Sequence, residues 1–179
     1  ERIYIVGFRK DLGIKKGDFS YPEQKEVTKK WIDVREENPV PAKYYLSTTY
    51  IETLKRHKAR HEAKGNGFGY DIIPDDGIAH AIVVGGMGRE SNLVIDFRQT
   101  DLTPTTRIKG EVNRQGWRKM TPREWARLQG YPDNFRIVVA DASAYKQFGN
   151  SVAVPAIQAT AKQLLKTLND KKILKLWEY

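Results

Sequence analysis

Apolar positions along this chain fall into a few spacings, and each spacing predicts an element. Ile3 to Phe8 is a short apolar run rich in β-branched residues, the pattern of a buried strand. Ile82–Val84 and Leu93–Ile95 are shorter runs of the same kind. Leu46, Tyr50 and Leu54 recur at helical spacing, which predicts a helix from Tyr44 to His61. Lys55, Arg56, Lys58 and Arg60 cover its other sides. A second stripe, Ile157, Ala161, Leu164, Leu165 and Leu168, predicts a buried helical face between about Ser151 and Leu168. Pro155 is tolerated there because it lies in the first turn. Gln24 to Asn38 reads as a further helix, ended by Pro39 and Pro41. Arg9–Tyr21 and the glycine-rich Lys64–Gly69 read as loops. Residues 97–119 are polar, rich in Thr, Arg and Gly, and irregular. Ile137–Val139 is a brief apolar run followed by another loop.

The most completely specified stretch is Met120–Phe135. Thr121 is a good helix N-cap, and Pro122 sits where its missing N–H costs nothing. Glu124 falls three residues later and closes a capping box. Met120 and Trp125 are spaced to pack across that cap. Gly130 ends the helix and Pro132 blocks its return. Trp125 and Leu128 share the buried face, and Arg123 and Arg127 share another. Local chemistry alone is equally consistent with a plain, well-capped surface helix.

Charge adds a direction. The net charge is +9 and the pI about 9.6, which favours a polyanionic partner. The basic run on the predicted 44–61 helix is either a solvated face or a nucleic-acid contact. No apolar run approaches the ~20 residues of a membrane span, so no membrane is expected. No signal or transit peptide is visible. The absence of cysteine excludes disulfides, cysteine-ligated metals and a thiol nucleophile within these 179 residues. His57, His61 and His80 do not make a convincing zinc site. Gly85-Gly86-Met87-Gly88 frees the backbone for close approach to another molecule, with Arg89 and Glu90 directly behind it.

Three stretches carry a family resemblance. Met120–Phe135 resembles motif IX of the DNA (cytosine-5) methyltransferases. Ala144-Tyr-Lys-Gln-Phe-Gly-Asn-Ser-Val-Ala-Val-Pro155 resembles their motif X, and Glu1-Arg-Ile-Tyr-Ile-Val-Gly-Phe-Arg9 the end of motif VIII. They occur in the family's order, and the segment between VIII and IX is where the family keeps its target-recognition region. Gly65-Asn-Gly-Phe-Gly-Tyr70 and Ile82-Val-Val-Gly-Gly-Met-Gly-Arg-Glu90 are most similar to the HpaII type, which modifies CCGG.

The resemblance implies a chemistry and shows what is missing from it. In the family a cysteine thiolate adds to C6 of a flipped-out cytosine, a glutamate stabilises the adduct, and C5 takes the methyl group of S-adenosylmethionine. The loops carrying that cysteine and glutamate are absent here, as is the glycine-rich cofactor motif. Arg2 matches the family arginine that approaches the flipped cytosine, or is an exposed terminal arginine. Asn150 and Ser151 match the pair that holds the cofactor's methionine end at the start of the terminal helix, or are simple N-caps. DNA contacts are expected from Lys64, Asn66, Gly85, Gly86 and Arg89. Arg89 is the candidate for bidentate guanine readout, with a phosphate contact as the alternative. Many relatives carry Thr followed by Leu, Val or Ile where Ala81-Ile82 stands. His80 reads as structural.

The expected fold class is α+β. Residues 25–145 form a small DNA target-recognition domain organised by motif IX. Residues 1–24 and 146–179 are end pieces of an S-adenosylmethionine-dependent methyltransferase α/β domain. The expected function is sequence-specific DNA cytosine-5 methylation in a bacterial restriction–modification setting, in the cytoplasm. The expected partners are double-stranded DNA and a missing N-terminal catalytic domain. Alternatives are a separately encoded recognition subunit, inactive alone, or a repurposed DNA-binding module.

Overall fold

The computed structural model describes residues 3–24, 26, 28–85, 88–103, 108 and 110–171. Four α-helices and one two-stranded sheet are formed among them, an α+β composition. In chain order these are α1 (Thr48–Glu62), β1 (Leu93–Ile95), β2 (Trp117–Lys119), α2 (Pro122–Leu128), α3 (Asp141–Asn150) and α4 (Val154–Asp170). The chain divides into two compact units: Val27–Ala153, and Glu1–Glu26 with Val154–Tyr179.

In the larger unit β1 and β2 run antiparallel, with Val94 opposite Arg118 and Leu93 opposite Lys119. Successive residues of a strand point to opposite faces, and this sheet uses both. On one face Leu93 and Trp117 pack with Leu46, Ile51 and Leu54 from the α1 region. On the other, Val94 joins Trp31, Met120, Trp125, Tyr145 and Phe148. Single bridges widen the sheet, Ile72 beside Leu93 and Tyr45 beside Arg118. Helix α2 follows β2 directly and packs on α3, where the Tyr145 hydroxyl donates to the Met120 carbonyl (2.5 Å).

The cap of α2 is built as the sequence requires. The Thr121 hydroxyl accepts from the Glu124 N–H (3.2 Å), and the Glu124 carboxylate accepts from the Thr121 N–H (2.7 Å). Met120 and Trp125 share one cluster, and Gly130 takes a left-handed φ of 81° just past the helix end. Helix α1 starts at Thr48, later than expected, because the Ser47 hydroxyl caps it by accepting from the Tyr50 N–H.

Other expectations need correction. Between Gln24 and Asn38 the described residues form only a short 3₁₀ turn at Trp31–Asp33. There the Trp31 and Ile32 N–H groups donate to the Gly77 and Asp75 carbonyls, so long-range pairing replaces a helix. Ile82–Val84 is not a strand, whereas Trp117–Lys119, read as irregular, is one. The loop expected after Val139 is helix α3. The terminal helix begins at Val154 rather than Ser151.

In the smaller unit no strand is formed among the described residues. Ile3 and Ile5 are 89% and 91% exposed, so the expected buried strand is not formed. Phe8, Phe19 and Tyr21 stack edge to face instead. Helix α4 turns Thr167 inward, its hydroxyl at 3.4 Å from the Asp18 carbonyl. The stripe expected to be buried is not: Ile157 and Leu165 are about half exposed.

Candidate nucleic-acid interface

Two glycine-rich loops, far apart in sequence, share one base. Helix α1 ends in a tight turn in which Gly65 takes a φ of 72° and the Asn66 N–H returns to the His61 carbonyl (2.9 Å). The loop then doubles back on α1, where the Lys58 ammonium donates to the Tyr70 carbonyl (3.2 Å) and lies over the Tyr70 ring. A Cβ on Gly69 would sit 2.9 Å from the Lys58 stem, so glycine permits this return. Immediately afterwards the Asp71 N–H donates to the Glu90 carbonyl (3.0 Å), and the Leu93 N–H donates to Asp71 (2.9 Å). The loop carrying Lys64 and Asn66 is thereby anchored beside Arg89. Lys64, Asn66 and Arg89 are all exposed, and Phe68, 68% exposed, stands edge-on to His61 at the loop's tip.

The second loop is clamped from below. Gly85 takes a φ of 84°, and the Gly88 N–H closes onto the Gly85 carbonyl (3.1 Å). A Cβ on Gly88 would fall 2.1 Å from the Val83 carbonyl oxygen, so no other residue fits that turn. Val84 seats against Gly149 of α3, where a Cβ would come within 2.3 Å of its methyl. Of the predicted contacts, Gly86 lies outside the described residues. His80 is fixed by two hydrogen bonds between its backbone and Asn92, and its ring pairs with Asp71 (2.7 Å).

Glu90, next to Arg89, is buried and receives the Lys119 ammonium (2.8 Å) and the Tyr50 hydroxyl (3.0 Å). Burial, then the Glu90 charge and hydrogen bond, pushes the Tyr50 hydroxyl up to about 12. The Arg89 guanidinium lies over the Tyr145 ring at 5.4 Å. It lines a cavity of about 170 Å³ with Val83, Val84, Trp125, Tyr145 and Lys146.

Beneath α2 lies a charged centre that sequence reasoning missed. Arg118 is fully buried, gives two hydrogen bonds to the Glu124 carboxylate (both 2.8 Å) and one to Asp96 (3.0 Å), and lies over the Trp31 ring. Arg98 holds the other side of Asp96 (2.9 and 2.8 Å). Burial pushes the Asp96 carboxyl up, but the Arg98 hydrogen bonds and the Arg118 charge outweigh it and bring it down to about 2. Two arginines thus meet two carboxylates, which makes the burial of charge tolerable. The Glu36 N–H donates to the same Glu124 carboxylate (3.1 Å). The only signal available in sequence was an arginine between Trp117 and Lys119 in a polar tract.

Arg123 and Arg127 do not form a free basic face. Arg127 pairs with Asp133 (2.7 Å) and donates to the Val34 and Arg35 carbonyls; Arg123 donates to the Phe135 carbonyl (2.6 Å).

Asn150 is exposed at the C-terminal end of α3, and Ser151 is its C-cap, with its hydroxyl donating to the Phe148 carbonyl (2.8 Å). They therefore do not begin the terminal helix, which starts three residues after Ser151. Asn150 and Ser151, the expected cofactor contacts, thus stand side by side where α3 ends. Arg2 lies outside the described residues. Among the described residues no group of three or more His, Asp or Glu is placed to hold a metal ion, and no helix is long and apolar enough to cross a membrane.

Comparison with known proteins gives a consistent family. Residues 1–166 match the family described as C-5 cytosine-specific DNA methylase. Type II methyltransferase M.HpaII of Haemophilus parainfluenzae is 71% identical over 170 residues, covering 95% of this chain and 47% of that protein. Type II methyltransferase M.SsoII of Shigella sonnei is 36% identical over 169 residues, covering 94% of this chain and 41% of its own length. The crystal structure of the S. pombe Dnmt2 methyltransferase superposes with a TM-score of 0.49 at 17% identity, over 82% of this chain and 45% of that one. The chain spans less than half the length of each. The HpaII likeness of the central loops is borne out by the 71% identity.

Proposed function

The chain belongs to the C-5 cytosine-specific DNA methylase family, and from that premise we propose that residues 27–153 read the DNA target for a cytosine-5 methyltransferase. The observation that carries this reading is the shared base of the two loops. One backbone ladder, Asp71 to Glu90 and Leu93, presents Lys64, Asn66 and Arg89 on adjacent glycine-rich segments of a strongly basic chain. These residues, with Gly85 and Gly86, are the proposed DNA contacts. The likeness to M.HpaII supports CCGG as the target, a bacterial restriction–modification setting and a cytoplasmic location.

S-adenosylmethionine is the proposed methyl donor of the complete enzyme, with Asn150 and Ser151 touching its amino-acid end. Arg2 is proposed to approach the target cytosine. The nucleophilic thiolate must come from outside these residues, since none is cysteine. The chain by itself should therefore transfer no methyl group. Incorporation of tritiated methyl into CCGG duplexes tests this directly: activity from the purified chain alone refutes it. Adding a large-domain partner that supplies the cysteine loop should restore activity.

The DNA reading has its own test. Several phosphate contacts make log affinity fall with log salt at roughly −0.9 per phosphate. An unchanged affinity between low and physiological salt removes the idea. A second reading, a separately encoded recognition subunit, is favoured by one feature: among the described residues, the charged centre and the core clusters are built wholly from residues of the larger unit.

A further inference from the structure

We propose that Arg89 and Lys146 together form a subsite for a single DNA backbone phosphate, on a floor made by Trp125 and Tyr145. The proposal rests on the DNA reading above and assigns Arg89 a backbone role rather than base readout. Both cations line the cavity of about 170 Å³ between the 83–89 loop and α3. Neither makes an ion pair or hydrogen bond among the described residues. This is unusual in a unit whose other arginines under α2 and β2 are all engaged. The nearby carboxylates are occupied. Glu90 is held by Lys119 (2.8 Å) and Tyr50 (3.0 Å), and Asp141, at the start of α3, by Lys43 (2.6 Å). Among the described residues, two positive groups therefore face one cavity without a counter-ion.

The site is also pre-shaped. The Tyr145 hydroxyl is tied to the Met120 carbonyl and its ring meets Trp125 edge to face at 4.8 Å, so the surface under Arg89 is fixed. A guanidinium lying on a ring face keeps its N–H edge free for an oxyanion. Gly85 borders the cavity with a φ of 84° and open space where a side chain would be, so a strand of nucleic acid can approach. The volume suits a tetrahedral oxyanion with a water or two. Lys146 sits one residue from Tyr145 on α3, so the subsite couples the recognition loop to the motif X segment.

The test uses the full chain and fluorescence anisotropy over a salt series, with a CCGG duplex and a single-base variant. Arg89→Gln and Lys146→Gln should each weaken binding to both duplexes alike. The double variant should lower the salt slope by about 0.9, the value for one phosphate. A fall of about twice that in the double variant means two separate phosphates and overturns the shared site. Unchanged slopes, or loss of discrimination between duplexes in Arg89→Gln, also overturn it. Lys146 is exposed and makes no contact that folding needs, so its variant keeps the test sound if Arg89→Gln unfolds. Failure of the unmutated chain to bind DNA would instead remove the DNA reading itself.

Discussion

The larger unit buries Arg118, Glu124 and Asp96 among aromatic side chains, while the smaller unit leaves Ile3, Ile5, Ile157 and Leu165 in solvent. By simple hydropathy both are inverted. In the larger unit the inversion is compensated. Each buried charge meets an opposite charge at hydrogen-bond distance, and Thr121, Glu36 and Trp31 complete the shell. In the smaller unit nothing among the described residues compensates. Its α4 keeps one face toward Asp18 and offers the Ile157–Leu165 face to water. The contrast teaches that burial follows from available partners, not from residue type alone. A charge goes inside when its counter-charges are already there, and an apolar face stays outside when no element covers it.

The largest effect that breaks this contrast is removal of one charge from the centre. Glu124→Ala leaves Arg118 buried and only partly paired and removes the α2 capping box. It should cost about 3–5 kcal/mol. Urea unfolding followed by tryptophan fluorescence checks this, since Trp31, Trp117 and Trp125 all lie in the larger unit. A loss below 1 kcal/mol would mean the centre is not what holds this unit.

Acid should weaken the same centre more gently. The Asp96 carboxyl lies at about 2 in the folded chain, below its ordinary value of 3.8. A lowered carboxyl contributes stability that is fully present above the unfolded value. That stability is lost as pH falls through the folded one. The larger unit should therefore lose on the order of 2 kcal/mol between about pH 4 and pH 2. Asp96→Asn, less stable at neutral pH, should show a flatter profile over that window. Equal slopes would count against the assignment.

Arg127→Ala comes next. It removes the Asp133 pair and two bonds to the Val34 and Arg35 carbonyls, and should cost about 1–3 kcal/mol without altering sequence preference. Altered preference between CCGG and its single-base variants would place this arginine at the DNA instead.

The smallest effect on stability belongs to the uncovered face. Leu165→Lys should change stability by no more than about 0.5 kcal/mol, yet reduce self-association of the chain. Light scattering decides: a monomeric parent chain, with strongly protected amides along α4, would show the face to be stable in water as it stands.

Local determinants explain what was legible in the sequence. Thr121, Pro122, Glu124 and Gly130 specify α2 within ten residues, and each is used as its chemistry demands. The two loops were equally readable from their glycines. The expected Gln24–Asn38 helix failed because Trp31 found Gly77. The strand at Trp117–Lys119 was invisible because its partners, β1 and Tyr45, are distant in sequence. Helix α3 was missed because the motif around Gly149-Asn150 suggested a helix start, whereas Asn150 is an end.

The sequence by itself determined the capped helix, the glycine-rich loops, the excess of positive charge, the lack of a thiol and the family likeness. All of these reside in neighbouring residues or in composition. Only the tertiary structure decided that Asp71 pairs with Glu90, that Val84 needs Gly149, and that Arg118 lies between Asp96 and Glu124. Those contacts join residues from different elements. Their energy exists only when the chain has brought charge to counter-charge and methyl to glycine, and no local periodicity encodes that meeting.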